Sequence, residues 1–354
     1  MAAAPPCPKR CPRRSARLLG GLFCSLAALS TLTFLAGGGH EELLSRSLPL
    51  LLAAGGGQQP VGAPLLPADD AFLLVPRPGA CAPSGPWLLV LVASAPGHVA
   101  QRQAVRRSWG GARRAAGRSL WTVFGLGMPG EPEQQAALER EAREHGDLLQ
   151  ARFVDSYANL TLKTLALLGW AAARCPDVRF LVKADDDVFL NLPALARHLG
   201  QLAGPPAAYL GRIHWRVHPS RDPRSRHHVP ASLYPERAFP PYCSGTAYVL
   251  SAPAAAAVLG AARQLPLLPL EDAFVGLCAR RAGIAPRHLA HMAGAARFPP
   301  DACCYREVLF SVHSVAPAQM VAMWEAAEQP CSAWQRALGL ARCKALAWLA
   351  ALAL

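Results

Sequence analysis

Short apolar runs alternate with amphipathic segments from about residue 87 onward, whereas the preceding residues show no such alternation. Apolar runs of this length are typical of buried strands, and apolar residues at helical spacing are typical of helices that cover a sheet. The predicted strands span residues 87–92, 120–124, 180–184, 207–211 and 247–250. The predicted helices span residues 99–109, 133–145, 160–173, 192–202, 254–263, 272–281 and 337–354. This alternation indicates an α/β domain with a mixed, mostly parallel sheet flanked by helices, whose ligands bind beyond the carboxyl ends of the strands.

The N-terminal apolar run, residues 18–36, contains no charged side chain and is long enough to cross a bilayer as a helix. Five basic residues precede it, with no acidic residue among them: Lys9, Arg10, Arg13, Arg14 and Arg17. The positive-inside tendency therefore predicts a cytosolic tail at residues 1–17, an uncleaved transmembrane signal anchor and a lumenal chain beyond it. A cleavable signal peptide is the alternative, but the run is longer than a usual signal core and has no clear small-x-small cleavage site.

Residues 37–85 are rich in Gly, Pro, Ala and Leu and carry few charges, which is typical of a linker. We therefore expect a lumenal stem that holds a catalytic domain, residues 86–354, away from the membrane. Residues 43–54 are apolar enough to form a helix that either lies on the membrane or pairs with a second copy of the chain.

Eight cysteines follow the predicted anchor, and they lack the paired C-x-x-C spacing of a structural zinc site. An even number on the lumenal side indicates disulfide bonds, but the spacing does not select among the many pairings. Asn159, in Asn-Leu-Thr, is the predicted glycosylation site of a lumenal domain.

The chain carries a formal net charge of +13, and part of this charge belongs to the predicted cytosolic tail. The remainder favours anionic ligands without naming one. We expect no nucleic-acid partner, because the sequence has no zinc-finger spacing, helix-turn-helix pattern or aromatic RNA-binding motif.

The strongest chemical signal is the stretch 180–191, F-L-V-K-A-D-D-D-V-F-L-N, in which Asp185, Asp186 and Asp187 lie between two apolar runs. Adjacent carboxylates at the end of a buried strand raise one another's pKa, and a divalent cation removes that cost. Such oxygen-rich sites suit Mn²⁺ or Mg²⁺, which share their remaining ligands with phosphate and water. A solvated acidic turn is the alternative, but the flanking apolar runs favour a metal site.

Two other stretches offer groups for an anionic nucleotide. Arg102 and Arg106 share a face of a predicted helix, which suits bidentate contacts to a diphosphate, although a solvated basic face is the simpler explanation of the pair alone. Asp155 and Lys163 lie in D-S-Y-A-N-L-T-L-K-T, where the carboxylate can accept from a base or ribose and the lysine can bind phosphate. A capped helix start also explains this stretch.

Further along, Gly245 in P-P-Y-C-S-G-T-A-Y permits close approach of the backbone to a sugar ring, with an ordinary turn as the alternative. Glu271 and Asp272 open a predicted helix, where they either cap its N-terminus or supply a general base. Residues 212–228 carry five arginines and four histidines and read either as a solvated loop or as part of a binding surface.

The combination of these motifs is more specific than any one of them. In order, R-x-x-x-R-x-x-W, D-S-Y-x-N-L-T-L-K-T, K-A-D-D-D-V-F-L-N, P-P-Y-C-S-G-T-A-Y-V and E-D-A-F-V-G resemble the β-1,3-glycosyltransferase family of the secretory pathway, over residues 87–324. Residues 210–217, residues 266–272 and the C-terminal cysteines are most similar to members that add galactose to gangliosides. Cys243 departs from the pattern, since many members have a small residue there.

The resemblance implies a single-pass type II Golgi membrane protein whose nucleotide-sugar-binding domain is of the GT-A type and inverts the anomeric centre. It further implies UDP-galactose as donor and a glycolipid ending in N-acetylgalactosamine as acceptor, joined through the acceptor's 3-hydroxyl. Homo-oligomers or hetero-oligomers with other glycosyltransferases are also expected. The basic segment 212–228 would then lie near the acceptor and favour sialylated glycolipids.

The family's site residues match this chain motif by motif. Asp185 and Asp187 form the D-x-D pair, and His313 matches a downstream histidine that completes the shell of Mn²⁺, with Mg²⁺ as the alternative. Arg102, Arg106 and Lys163 are expected to bind the diphosphate of the donor, and Asp155 its uridine. Asp185 and Asp186 are also expected to contact the donor. Asp272 matches the general base.

Two other functions fit the same sequence. A β-1,3-N-acetylglucosaminyltransferase that uses UDP-N-acetylglucosamine would share these motifs, because they bind UDP and metal rather than the sugar. An inactive lumenal sugar-binding protein on the same scaffold is disfavoured, since Asp185, Asp187, Asp272 and His313 are all present.

Overall fold

The computed structural model describes residues 13–53, 71–77, 81, 85–202, 207–327 and 331–352, with the backbone alone at 13–22, 48–53 and 350–352. Most of the predicted tail, residues 1–17, and the middle of the predicted stem, residues 54–70, lie outside the described residues. The strands are β1 Phe72–Leu74, β2 Leu88–Ala93, β3 Arg114–Ala115, β4 Arg118–Met128, β5 Leu148–Val154, β6 Phe180–Asp185, β7 Phe189–Leu190, β8 Tyr209–His214, β9 Tyr242–Ser251, β10 Pro286–His288 and β11 Ser311–Val312. The helices are α1 Arg13–Ala36, α2 Gly39–Ala53, α3 Val99–Arg107, α4 Pro132–His145, α5 Leu160–Arg174, α6 Leu192–Gln201, α7 Ala252–Ala262, α8 Glu271–Arg281, α9 Pro317–Ala326 and α10 Ala333–Leu352.

The main sheet has the strand order β1-β5-β4-β2-β6-β9-β8-β10, and β3 pairs with β4. Its centre, β5-β4-β2-β6, is parallel, whereas β9 runs antiparallel to both β6 and β8. The predicted mixed sheet flanked by helices is therefore confirmed. Because β4, β2 and β6 run in the same direction, their carboxyl ends meet at one edge of the sheet, where ligands bind in folds of this kind.

The core lies on both faces of this sheet. Successive residues of β2 alternate between two apolar clusters, with Leu88 and Val90 in one and Leu89 and Leu91 in the other. All of β2 is buried, as expected for a parallel strand with helices on both sides. This continuous apolar strand agrees with the strand predicted at residues 87–92.

The predicted strands and helices of the domain all have counterparts in the structure, with shifts of a few residues at their ends. β5 was missed by the sequence pattern. The C-terminal helix α10 is present but is interrupted at Gly339, which has the left-handed φ of 48°. Between β8 and β9 the structure has turns and an isolated bridge from Ser220 to His228, in agreement with the irregular segment predicted there.

A separate two-stranded ribbon lies beside the main sheet. In it β7 pairs antiparallel with β11, with Phe189 opposite Val312. The backbone amide of Val315 also donates to the carbonyl oxygen of Asp187 over 2.9 Å. These pairings bring the segment around residue 313 against the turn that follows β6.

The segment predicted as a linker contains elements that contact the domain. α2 overlaps the helix predicted at residues 43–54 as far as Ala53, and its Glu41 lies 3.1 Å from Arg212 and 3.0 Å from His288 at the sheet edge. β1 extends the opposite edge by pairing with β5. Within the part of the chain that the structure describes, no helix is both long and apolar enough to cross a membrane.

Six of the cysteines beyond residue 36 form disulfide bonds, which confirms the predicted disulfides. The pairs are Cys81–Cys175, Cys303–Cys331 and Cys304–Cys343. Cys243 and Cys278 are buried free thiols, and burial raises the pKa of both.

Candidate active site at the carboxyl end of the sheet

Three metal-binding side chains meet where β6 ends. Asp185, Asp187 and His313 each place one ligand atom within 4.8 Å of the other two, and all three are partly exposed. Nε2 of His313 lies 3.4 Å from Oδ2 of Asp187. Two carboxylates and one imidazole fit a divalent cation such as Mn²⁺, because nitrogen and oxygen donors both suit it.

The electrostatics of Asp187 also fit a cation. Burial raises the pKa of the Asp187 carboxyl, the His313 imidazole lowers it in part, and the neighbouring Asp185 and Asp186 raise it further. The surroundings of Asp187 therefore disfavour its charged form, and a bound cation would offset that cost.

Lys183 is the cation beneath this cluster, and the sequence reasoning did not single it out. Its ammonium donates to Oδ1 of Asp185 and to the carbonyl oxygen of Gly245, both over 2.6 Å. It also lies 3.5 Å from Glu271. Burial lowers the pKa of Lys183, but Asp185 and Glu271 raise it above its ordinary value, so the side chain is charged. Lys183 thereby fixes the rotamer of Asp185.

Gly245 joins Lys183 to the candidate base. Its carbonyl oxygen accepts from Lys183, and its amide donates to Oδ2 of Asp272 over 3.0 Å. Oδ1 of Asp272 accepts from the amide of Ala273 over 2.9 Å. A Cβ at position 245 would lie 3.1 Å from Glu271 and 3.2 Å from Asp272, so only glycine fits here without displacing the acids. The backbone at Gly245 therefore lies close to Glu271 and Asp272, and its approach to a sugar ring stays a prediction.

Glu271 and Asp272 open α8 with different surroundings. Glu271 is buried and accepts from the Tyr248 hydroxyl over 2.6 Å, and burial raises the pKa of its carboxyl. Asp272 is only partly buried and lies at the N-terminus of the helix, where a carboxylate is stabilised by the helix dipole. Of the two acids, Asp272 is the one with access to a substrate.

The loop after β2 organises a second polar cluster around Ser94. The Ser94 hydroxyl donates to Asp186 over 2.6 Å, and Nδ1 of His98 lies 2.8 Å from the same carboxylate oxygen. The ammonium of Lys163 donates to the carbonyl oxygen of Ser94 and lies 2.9 Å from Asp155. Neither Ser94 nor His98 was predicted as a site residue. For these two residues the sequence offers no signal beyond a single serine at the end of a buried strand.

Asp186 and Asp155 are consequently engaged within the protein. Asp186 is buried and turned away from the metal-binding cluster, and Oδ2 of Asp155 accepts from the amide of Gly127 over 2.7 Å. Asp186 holds the end of β2 through Ser94, and Asp155 holds the end of β4 through Gly127. A nucleotide is expected to bind at these strand ends.

The assignment of Arg102 and Arg106 to a diphosphate is not supported by their contacts. Arg102 is fully buried and makes two hydrogen bonds of 2.7 Å to Glu141, besides contacts to the loop after β2. Arg106 makes two hydrogen bonds of 2.8 Å to Asp147 and also pairs with Glu141. Because their guanidinium groups are matched by carboxylates, the two arginines tie α3 to α4 and to the start of β5.

Part of the basic segment reaches the same edge of the sheet. The guanidinium of Arg226 lies over the ring of Tyr157 at 5.4 Å, and Nδ1 of His227 lies 3.1 Å from the Tyr157 hydroxyl. Burial raises the pKa of Tyr157; Arg226 opposes this rise, and Asp272 and Asp185 add to it. The charges of Asp272 and Asp185 therefore both act on the Tyr157 hydroxyl.

Asn159 follows Tyr157 in a short 3₁₀ helix and is partly exposed. Its side-chain amide donates to the carbonyl oxygen of Val154 over 2.8 Å. Glycosylation of Asn159 stays a prediction.

The mixed sheet and the carboxylate–histidine cluster at its carboxyl end agree with the fold and the metal site that the sequence resemblance implies. Residues 100–290 match the family model described as Galactosyltransferase, and this match covers more than half of the chain. The chain belongs to the galactosyltransferase family.

The similar relatives include enzymes named for the transfer of two different sugars, galactose and N-acetylglucosamine. The chain is 45% identical to rat beta-1,3-galactosyltransferase 4 over 347 residues, covering 87% of this chain and 92% of the relative. The human protein of that name is 43% identical over 353 residues, with the same coverage. Human acetylgalactosaminyl-O-glycosyl-glycoprotein beta-1,3-N-acetylglucosaminyltransferase is 44% identical over 275 residues, covering 73% of this chain and 71% of that one.

Proposed function

We propose that this chain transfers galactose from UDP-galactose to the 3-hydroxyl of a terminal N-acetylgalactosamine on a glycolipid, with inversion at the anomeric carbon. The observation that carries the proposal is the link through Gly245, which joins the candidate base Asp272 to Lys183 and, through it, to the metal-binding Asp185. The names of the relatives at 43–45% identity support galactose as the transferred sugar.

Asp185, Asp187 and His313 would hold a divalent cation, with Mn²⁺ favoured by the imidazole donor. When bound, the cation offsets the negative charge that develops on the departing UDP. Lys183 keeps Asp185 in place for this task, because a buried, charged lysine at 2.6 Å leaves that carboxylate one favoured orientation.

Asp272 acts as the general base. It accepts the proton of the acceptor's 3-hydroxyl as that oxygen attacks C1 of galactose from the side opposite UDP. The amides of Gly245 and Ala273 hold its two oxygens, and each oxygen keeps a lone pair for the incoming proton. One displacement with one base inverts the anomeric centre and requires no covalent intermediate.

The nucleotide is proposed to bind at the ends of β2, β4 and β6. Lys163 and Asp155, which pair at 2.9 Å, shape this region together with the loop that contains Ser94 and His98. Arg102 and Arg106 contribute indirectly, since their carboxylate partners anchor the helix that follows this loop.

The acceptor is proposed to enter beside Tyr157 and Arg226. Arg226 is exposed and contacts His227 and the Tyr157 ring, and no carboxylate pairs with it among the described residues. An anionic sugar such as sialic acid would supply that carboxylate, which favours acidic glycolipids as acceptors.

We also propose that the protein is a single-pass type II protein of the Golgi membrane. The supporting observations are the basic residues before position 18 and the exposed apolar side chains of α1, among them Phe23, Leu26 and Leu32. Partners such as other glycosyltransferases stay a prediction.

The second candidate function is the transfer of N-acetylglucosamine from UDP-N-acetylglucosamine. It is favoured by the human relative of that name, which is as similar as the galactosyltransferases over the part it matches. The site residues described above bind UDP and cation in either case, so the two donors must be compared directly.

The deciding experiment offers the full chain both UDP-sugars and acceptors ending in N-acetylgalactosamine, galactose or N-acetylglucosamine, with Mn²⁺ or with a chelator. We expect galactose transfer to the N-acetylgalactosamine glycolipid, which stops when the metal is chelated. Transfer of N-acetylglucosamine alone would overturn the donor and keep the mechanism. UDP binding without any transfer would favour an inactive sugar-binding protein.

A further inference from the structure

The last residue of β8 is His214, which lies opposite Tyr242 on β9. Between this pair and the rest of the ladder, β9 has more residues than β8, and Gly245 is one of those that leave the regular pairing. Irregular strand segments of this kind are common next to active sites, where they re-aim side chains. Because Gly245 also binds Asp272, the re-paired ends of β8 and β9 lie beside the candidate base.

Tyr242 connects His214 to the helix that carries this base. The ring centroids of His214 and Tyr242 lie 5.2 Å apart. Tyr242 also packs tightly against α8, since its Cβ leaves no room for a Cβ at Gly276. Gly276 is four residues beyond Asp272, so the two share one face of the helix. A single residue, Tyr242, therefore separates His214 from the face of α8 that carries Asp272.

The imidazole of His214 has free hydrogen-bonding groups. Its side chain is only partly exposed, and within the part of the chain that the structure describes neither ring nitrogen makes a hydrogen bond. Burial lowers the pKa of His214, Asp272 raises it in part, and Arg212 lowers it. A neutral imidazole offers one donor and one acceptor, and leaving both without partners in a partly buried position costs free energy. The contact with Tyr242 fixes the plane of the ring but does not satisfy its nitrogens.

The chemistry proposed for Asp272 indicates which ligand would satisfy them. Asp272 is proposed to receive the proton of the acceptor's 3-hydroxyl. In N-acetylgalactosamine the two carbons that flank C3 carry the 4-hydroxyl and the 2-acetamido group. A side chain beside the base therefore faces one of these substituents, and both exchange hydrogen bonds with a neutral imidazole.

We propose that His214 is an acceptor-binding residue whose imidazole forms a hydrogen bond with a substituent next to C3 of the acceptor sugar. This contact holds the 3-hydroxyl against Asp272 and makes the chain selective for the terminal sugar that it extends. The inference rests on the proposed function, because it takes Asp272 as the base.

The first test uses soluble acceptors, namely the methyl glycoside of N-acetylgalactosamine and its analogues without the 4-hydroxyl or without the 2-acetamido group. His214→Phe, which keeps a ring against Tyr242, should raise KM for the complete glycoside by roughly three- to tenfold, the net worth of one hydrogen bond, with kcat nearly unchanged. Removal of the contacted substituent should cost the wild type a similar factor in kcat/KM and cost His214→Phe nothing further. The control is His145→Phe, at the end of α4 beside Gln103, which should behave as the wild type does.

Two results would overturn the proposal. If each analogue lowers kcat/KM by the same factor in the wild type and in His214→Phe, the imidazole contacts neither substituent. If His214→Phe instead loses about 100-fold in kcat with KM unchanged, His214 acts on the proton rather than on acceptor binding.

The second test needs no turnover. The full chain, labelled with isotopic nitrogen in its histidines and held in detergent micelles, is titrated with the acceptor glycoside in the presence of UDP and Mg²⁺. The signal that disappears in His214→Phe should shift on titration, whereas the signal of His145 should not. An unchanged His214 signal while calorimetry detects acceptor binding would overturn the inference. A shift without transfer from either UDP-sugar would keep the acceptor contact and reject the proposed function, and a chain that binds no acceptor would reject both.

Discussion

Gly245 donates its amide hydrogen to Oδ2 of Asp272 over 3.0 Å, so the candidate base is held by the strand that runs beside the metal-site strand. The carbonyl oxygen of Gly245 accepts from Lys183, which in turn holds Asp185. The backbone of one residue therefore links the group that receives the proton to the group that binds the cation.

Gly245→Ala should lower kcat by roughly tenfold or more, because the added carbon forces Asp272 to move and small displacements of a reacting group are costly. The control is Gly130→Ala, since a Cβ at Gly130 meets nothing within 4 Å. Steady-state kinetics with a thermal melt of each variant measures both effects. Equal kcat for the two alanine variants would show that the close approach at Gly245 is unimportant for catalysis.

Asp272→Asn should lose transfer by about 100-fold or more, the scale of a general-base effect, while it binds UDP and Mn²⁺ as the wild type does. The amide cannot take the hydroxyl proton, but it keeps the size of the side chain. Calorimetric titration of UDP together with turnover measures the two properties. Asp222→Asn, which changes an exposed acid paired with Arg224, is the matched control. Turnover near the wild-type level in Asp272→Asn would assign the base elsewhere.

His313→Ala should weaken Mn²⁺ binding by at least about tenfold, because one of the three protein donors is lost. Electron paramagnetic resonance of free Mn²⁺ during a titration reads the affinity without any turnover. High Mn²⁺ should restore much of the activity, since Asp185 and Asp187 are unchanged. His145→Ala, which removes an imidazole next to Gln103 on α3, serves as the control and should bind Mn²⁺ normally. Unaltered affinity in His313→Ala would remove the histidine from the metal site.

Arg226→Gln should raise KM for sialylated acceptors by roughly three- to tenfold, the net worth of an ordinary hydrogen bond, and should leave KM for neutral acceptors unchanged. Arg224→Gln is the matched control, because Arg224 is 91% exposed and already pairs with Asp222. The ratio of the two KM values is the measurement. If that ratio is the same in the wild type and both variants, the basic segment plays no part in acceptor choice.

Cys81→Ala should lower the free energy of unfolding by about 2–5 kcal/mol, because the disulfide to Cys175 closes a long loop in the unfolded chain. Cys175→Ala should lower the free energy of unfolding by the same amount, and the double variant should lower it by no more than either single variant. Denaturant titration without reductant gives all three values. Additive losses would mean that the two cysteines act through separate contacts.

The sequence predicted the centre of the fold because its strands are uninterrupted apolar runs with both faces buried. β5 was not predicted because Gln150, in its interior, is a fully buried polar residue. The side-chain amide of Gln150 donates hydrogen bonds to the side chain of Gln135 and to the carbonyl oxygen of Gly127. A buried hydrogen bond of this kind depends on distant segments, so no local pattern reveals the strand.

In the candidate site, too, residues close together in the chain were predicted, whereas contacts between distant segments were not. Asp185 and Asp187 are only two residues apart in the chain, and the structure places His313 beside them as expected. The carboxylate partners of the two arginines of α3 could not be predicted, because Glu141 and Asp147 come from the segment some forty residues further on. Direct binding of a diphosphate by either arginine stays a prediction.

β11 leaves the ribosome long after β7, because the whole of α6, α7 and α8 and the strands β8, β9 and β10 lie between them in the chain. A nascent chain that ends just beyond Leu190 therefore has both aspartates but lacks the imidazole of His313. The ribbon that joins them can close only when synthesis is nearly finished, so the candidate metal site is completed late. A chain that stops before position 313 would contain all the strands of the parallel centre and still lack one of the three candidate ligands.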